Sequence, residues 1–130
     1  MSVLVDTSVW GDYLRGTAYT DTIDFLIEEN LVVTNRLILA EILPPLHIRN
    51  QKKLVELFAE IKQFPINIDW DGIIRMRVLC LKHGLNGIGI SDFIIAQNAI
   101  QGGIPLLSSD KHFPLMAKHI PLALYQEENG

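Results

Sequence analysis

The chain is expected to fold as an α/β domain around a central parallel sheet, with a helical arm inserted after the second strand. Three observations carry this expectation. Short β-branched runs alternate with longer stretches of helical spacing. The strongest runs are continuously apolar, as in strands covered on both faces of a parallel sheet. No repeat, low-complexity tract or Ser/Gly linker divides the 130 residues, so residues 1–130 are expected to form one domain.

Val3, Leu4 and Val5 form the first run, which ends at Asp6, and residues 31–34 form the second. Weaker strand candidates lie at 66–68, 105–107 and 122–124. Asp21 precedes Ile23, Leu26 and Ile27 at helical spacing, with Asn30 as a stop. A further helix is expected from about Asn35 to the Pro44-Pro45 pair, whose missing N–H groups should end it. Asn50 then precedes Leu54, Leu57, Phe58 and Ile61, an i, i+3, i+4, i+7 stripe that completes an arm over residues 35–61. Asp69 heads a longer stripe through Trp70, Ile73, Ile74, Val78 and Leu81 that stops at Gly84. Ser91 heads residues 93–100, apolar nearly all round and therefore expected in the core.

Composition removes several classes of function. Apolar residues make up 48% and charged residues 20%, too apolar for a disordered chain. No apolar run reaches the roughly 20 residues of a spanning helix. The opening residues show no cationic leader, so a cytoplasmic location and no membrane partner are expected. A single cysteine, Cys80, excludes an internal disulfide and a cysteine-built zinc site, and its helical setting suggests a small buried hydrophobe. A formal net charge of −4 argues against a broad basic surface for duplex DNA.

Four acids could carry chemistry. Asp6 and Asp110 each follow an apolar strand candidate, and in a parallel sheet such ends share the edge where open α/β folds place their sites. Asp92 follows the glycine-rich stretch 84–89 and falls in a first helical turn, where an anion is favoured. Glu41 is flanked by Leu37, Ile38, Leu39, Ala40, Ile42 and Leu43, an unusual setting for a charge, which would need solvent at one edge or a cation. Taken singly, Asp6 and Asp110 are ordinary turn acids and Asp92 an ordinary helix-start acid.

Together, the pieces Val5-Asp6-Thr7-Ser8-Val9-Trp10, Ala40-Glu41-Ile42-Leu43, Ile90-Ser91-Asp92-Phe93-Ile94-Ile95-Ala96 and Leu107-Ser108-Ser109-Asp110-Lys111-His112-Phe113 resemble, in order and spacing, the acidic motifs of PIN domains. The nearest branch is VapC, the ribonuclease toxins of toxin–antitoxin pairs. The resemblance implies a three-layer sandwich and a metal-dependent endoribonuclease with a cognate antitoxin, a homodimeric state and an RNA substrate. It makes Asp6, Glu41, Asp92 and Asp110 metal-binding carboxylates, with Ser8 and Ser108 in support. His112 departs from the pattern, since many relatives carry a second acid there.

Physical chemistry is consistent with that implication. Two carboxylates about 4 Å apart repel by roughly 4 kcal/mol at an effective dielectric of about 20, so four together call for a cation or a raised pKa. Oxygen ligands favour Mg²⁺ or Mn²⁺ over zinc. Apart from the four acids the chain would be neutral, so the rest need not repel RNA.

Other residues are read more plainly. The four histidines are scattered, and His112 alone lies near the proposed site, where it could contact phosphate or a metal-bound water. The basic groups Arg36, Arg49, Lys52 and Lys53, and Arg75, Arg77 and Lys82, read as solvated helix faces. Arg15 and Lys111 flank the first and last motifs and are candidates for phosphate contact, whereas Trp10 and Phe113 read as core. A groove between the arm and the helix around Ile23 to Ile27, with Leu26 and Leu57 in its walls, is the expected antitoxin seat. Two other functions fit the residues less well. A receiver-like signalling domain lacks its acid pair and its acceptor Asp, and a catalytically silent binding module has no use for four spaced acids.

Overall fold

A computed structural model of the chain describes residues 1–126. Its elements run β1 (Val3–Val5), α1 (Thr7–Arg15), α2 (Thr20–Glu28), β2 (Val32–Thr34), α3 (Arg36–Ile48), α4 (Lys52–Glu60), β3 (Lys62–Gln63), α5 (Trp70–Lys82), α6 (Ile90–Gly102), β4 (Leu106–Leu107) and α7 (His112–Ala117). The four strands form one sheet in the order β3-β2-β1-β4, with every pairing parallel. Val3 pairs with Val32, Leu4 with both Val33 and Leu106, and Val5 with Leu107.

This order follows from the connections. The chain lays down β1, β2 and β3 in one direction, then returns across the sheet to place β4 on the far side of β1. Right-handed crossovers put α1 to α4 over one face and α5 with α6 over the other. The packing of α1 on α3, of α3 on α4 and of α5 on α6 agrees with two helical layers around a parallel sheet. β1 is central and all three of its residues are buried, at about 1.5 to 3 kcal/mol for each large apolar side chain.

The core helix expected over 93–100 is α6, with Phe93, Ile95, Ala96, Gln97, Asn98 and Ala99 buried. Its two buried amides are not idle. Gln97 accepts from Asp69 N–H and donates to Asp69 C=O, while Asn98 accepts from Asn35 and donates to the Pro65 carbonyl. These bonds tie the carboxyl ends of β2 and β3 to α6. At the far end of α6, a Cβ on Gly102 would overlap the Phe64 ring, so only glycine admits that approach.

Several expectations need correction. Pro44 and Pro45 do not end α3, which continues to Ile48. The carbonyls that lose their donors belong to Ala40 and Glu41, exposed residues where water can take the vacant place. The turn comes at Asn50, whose φ of 55° is left-handed, so Asn50 closes α3 rather than opening α4, and Gln51 caps α4. Residues 66–68 are not a strand: β3 lies earlier, at Lys62–Gln63, and beyond it Pro65 has no N–H to offer a ladder. Residues 122–124 contribute a bridge between Leu106 and Leu124 and no strand. Ile73 of the α5 stripe is buried, but Trp70, Ile74, Val78 and Leu81 lie on its exposed side. Asn30, with φ 56°, does stop α2, and Cys80, Trp10 and Phe113 are core residues as expected.

Candidate metal centre

β1 delivers Asp6 to the sheet edge between itself and β4. Connections leave β1 towards β2 on one side and arrive at β4 on the other, so this is the switch point at which parallel sheets open a crevice. Asp6 is buried, and its N–H donates to Leu107 C=O at 2.9 Å, which fixes its backbone to β4. Its Oδ2 accepts from Ser8 Oγ at 2.9 Å and from Ser108 Oγ at 2.8 Å. Each hydroxyl in turn accepts a backbone N–H, Ser8 from Ser109 at 3.1 Å and Ser108 from Asp110 at 3.0 Å. Each amide takes one lone pair of its hydroxyl, whose proton is donated to Asp6. One carboxylate oxygen is thereby clamped, and no donor among the described residues reaches Oδ1.

Asp110 follows β4, and its Oδ1 accepts from His112 N–H at 2.9 Å, a local turn that opens α7. Phe113 and Met116, both buried, anchor that short helix. The turn folds the His112 ring back so that Nδ1 lies 3.5 Å from Asp110 Oδ1 and 3.6 Å from Asp92 Oδ2. Both separations are too long for a hydrogen bond, and Nδ1 is buried without a partner among the described residues. Asp92 arrives in the first turn of α6. Burial raises its pKa above the usual carboxylate value, the charges of Asp110 and then Asp6 raise it further, and His112 opposes them.

Asp92, Asp110 and His112 each offer one ligand atom, and these atoms lie within 4.8 Å of one another. With Asp6 close enough to act on Asp92, the structure brings three of the four sequence candidates to one place. The donor set fits a divalent cation: carboxylate oxygens, a raised carboxyl that a cation would return to its charged form, and an orphaned buried nitrogen.

Glu41 stands apart and takes the first of its two expected settings, solvent at one edge. It is exposed, on the solvent side of α3, because its apolar sequence neighbours point to other sides of the helix. Its Oε1 accepts from Thr7 Oγ1 at 2.9 Å, which ties it to the first turn of α1. Within the first motif the sequence singles out Asp6 and Ser8 and not Thr7, and it places His112, two residues after Asp110, near the site only as a contact to phosphate or a metal-bound water. Of the flanking cations, Arg15 is engaged by Asp12 at 2.8 Å, and Lys111 is exposed.

A parallel α/β domain with acids gathered at its switch point defines a class of site whose donor set suits a divalent cation. The PIN domain family pattern matches residues 3–119, and the chain belongs to that family. Its fold is similar to that of a chain in the VapBC2 complex of Rickettsia felis bound to a promoter DNA fragment, at 20% identity and TM-score 0.75 over 98% of this chain and 100% of that one. VapBC-5 of Mycobacterium tuberculosis is similar at 22% identity and TM-score 0.69, over 98% of this chain and 100% of that one. VapC20 of the same organism, described as a sarcin-ricin loop cleaving toxin, is similar at 19% identity and TM-score 0.61, covering 94% of this chain and 99% of that one. No curated protein sequence matches the chain. Among the described residues no helix is long and apolar enough to cross a membrane.

Proposed function

We propose that this chain, acting as one domain over residues 1–130, is a cytoplasmic, metal-dependent endoribonuclease and the toxin of a VapC-type toxin–antitoxin pair. The observation that carries the reading is the convergence of Asp6, Asp92 and Asp110 at the switch point of a PIN fold. RNA as substrate is supported by the description of VapC20, and an antitoxin partner by the VapBC complexes.

A bound Mg²⁺ or Mn²⁺ would supply an activated water and offset charge on the scissile phosphate. Asp6, Asp92 and Asp110 would hold it, with Glu41 as the fourth acid on the rim. Ser8 and Ser108 position Asp6 so that Oδ1 stays available. The test is cleavage of RNA by the purified chain with Mg²⁺ or Mn²⁺, with EDTA and with Asp6→Asn. Loss of at least about 100-fold is expected in both controls. A folded Asp6→Asn that keeps most activity with an unchanged metal requirement would overturn the assignment, and a folded wild type with no cleavage would favour a silent binding module.

The antitoxin is proposed to anchor in a groove of ≈ 370 Å³ lined by Trp10, Tyr13, Leu14, Ile27, Leu57 and Ile61 among others. Leu26, expected in its wall, is instead fully buried, so an acid there would disrupt the core. Leu57 is 51% exposed, and Leu57→Asp is expected to weaken antitoxin binding by about tenfold or more while sparing cleavage. Unchanged affinity in titration calorimetry would remove the groove from the interface. A homodimer is proposed with it, and sedimentation at micromolar concentration tests that part.

A further inference from the structure

We infer that His112 is a nitrogen ligand of the metal centre, and that it tilts the site from Mg²⁺ towards Mn²⁺. The inference rests on the metal-dependent reading above and deepens it. The His112 Nδ1 atom is buried, has no hydrogen-bond partner among the described residues, and lies 3.5 Å and 3.6 Å from oxygens of Asp110 and Asp92. Both separations are shorter than twice a metal–ligand bond of about 2.1 Å, so an ion bound to Nδ1 lies within reach of either carboxylate, and the three ligand atoms lie within 4.8 Å of one another.

The ring is not there by accident of a loose side chain. Asp110 accepts the His112 N–H at 2.9 Å, and the buried Phe113 and Met116 hold the following helix, so the backbone that aims Nδ1 is fixed on both sides. The Nδ1 atom between two carboxylates is closed to water and, among the described residues, has no hydrogen-bond partner. A cation satisfies it, provided the ring carries its proton on Nε2 and keeps the Nδ1 lone pair free. Imidazole adds little for Mg²⁺, which prefers oxygen and retains its waters, and more for a first-row transition ion.

The test uses the full chain stripped of metal, with MnCl₂ and MgCl₂ as probes. In the Mn²⁺-loaded wild type, pulsed electron paramagnetic resonance is expected to show ¹⁴N coupling from a bound imidazole, and His112→Ala is expected to lose it. His112→Ala should weaken Mn²⁺ binding by about tenfold or more and Mg²⁺ binding by less than about threefold, read by calorimetry. His112→Asp restores an oxygen ligand and covers the case in which the alanine variant does not fold: it should bind both ions with a reduced Mn²⁺/Mg²⁺ ratio and no ¹⁴N coupling. Absent coupling in the wild type, or an equal change for both ions, would overturn the inference. Cleavage assays on the same samples separate the two readings. Coupling without RNA cleavage sinks the nuclease reading alone, and metal-dependent cleavage without coupling sinks the ligand assignment alone.

Discussion

Asp6 heads α1 and Glu41 is bonded to Thr7 in the first turn of that helix, and the two acids are held in opposite ways. Asp6 is buried, its backbone is bonded to β4, and one of its oxygens receives two hydroxyls that are themselves braced by backbone amides. Glu41 is exposed and receives one hydroxyl, that of Thr7. The difference teaches where precision in this site comes from. A carboxylate fixed through the sheet has one position, whereas a carboxylate on an open helix face keeps its freedom to follow a substrate or a water.

The strongest way to break that contrast is to remove the brace. Ser108→Ala leaves Asp6 Oδ2 and the Asp110 N–H each short of a partner in a partly buried place. It is expected to cost about 2 kcal/mol in denaturant unfolding and to weaken Mn²⁺ binding with it.

A smaller effect of opposite sign is expected from Asp92→Asn. The folded-state pKa of Asp92 is raised, so the native state holds a proton that the unfolded chain has released. Its ionisation therefore destabilises the metal-free protein, increasingly as pH rises from the usual carboxylate value through the raised one. Asp92→Asn should stabilise the metal-free chain at neutral pH, by less than about 1 kcal/mol for a partly solvated group. Thermal unfolding should also lose part of its pH dependence just above pH 4. A lower melting temperature in that variant would show that the charges there do not repel.

The smallest effect belongs to the Glu41 side. Thr7→Val removes a single exposed hydrogen bond and should change stability by no more than about 0.5 kcal/mol. If it costs as much as Ser108→Ala, the two acids are held alike and the contrast fails.

The same contrast explains what could be read in the sequence. Val3–Val5 and Val32–Thr34 were legible because a buried parallel strand needs a short continuous apolar run, and their ends pointed to Asp6. β3 was not, because Lys62–Gln63 are exposed and carry no strand signature. The first helix, Thr7–Arg15, went unassigned because its buried positions reduce to Val9 and Trp10. The proline pair misled because its cost depends on whether the freed carbonyls face water, which no local pattern records. For Glu41 the sequence left solvent and a cation as alternatives, and residues adjacent in a helix point in different directions, so its apolar neighbours leave it the solvent edge. The His112 ring became significant only through two carboxylates, one of them 20 residues earlier in the chain.

The bonds that complete the Asp6 brace span 101 and 102 residues of sequence, from Ser8 to Ser109 and from Asp6 to Ser108. Contacts so distant close late, since the loop between them must be ordered before they form. On a ribosome adding roughly 5 to 20 residues per second, the first acid emerges many seconds before the segment that clamps it. The nascent chain thus carries its acids in separate pieces for most of its synthesis. A nuclease built on this plan would be inert towards the RNA around it until translation is nearly finished.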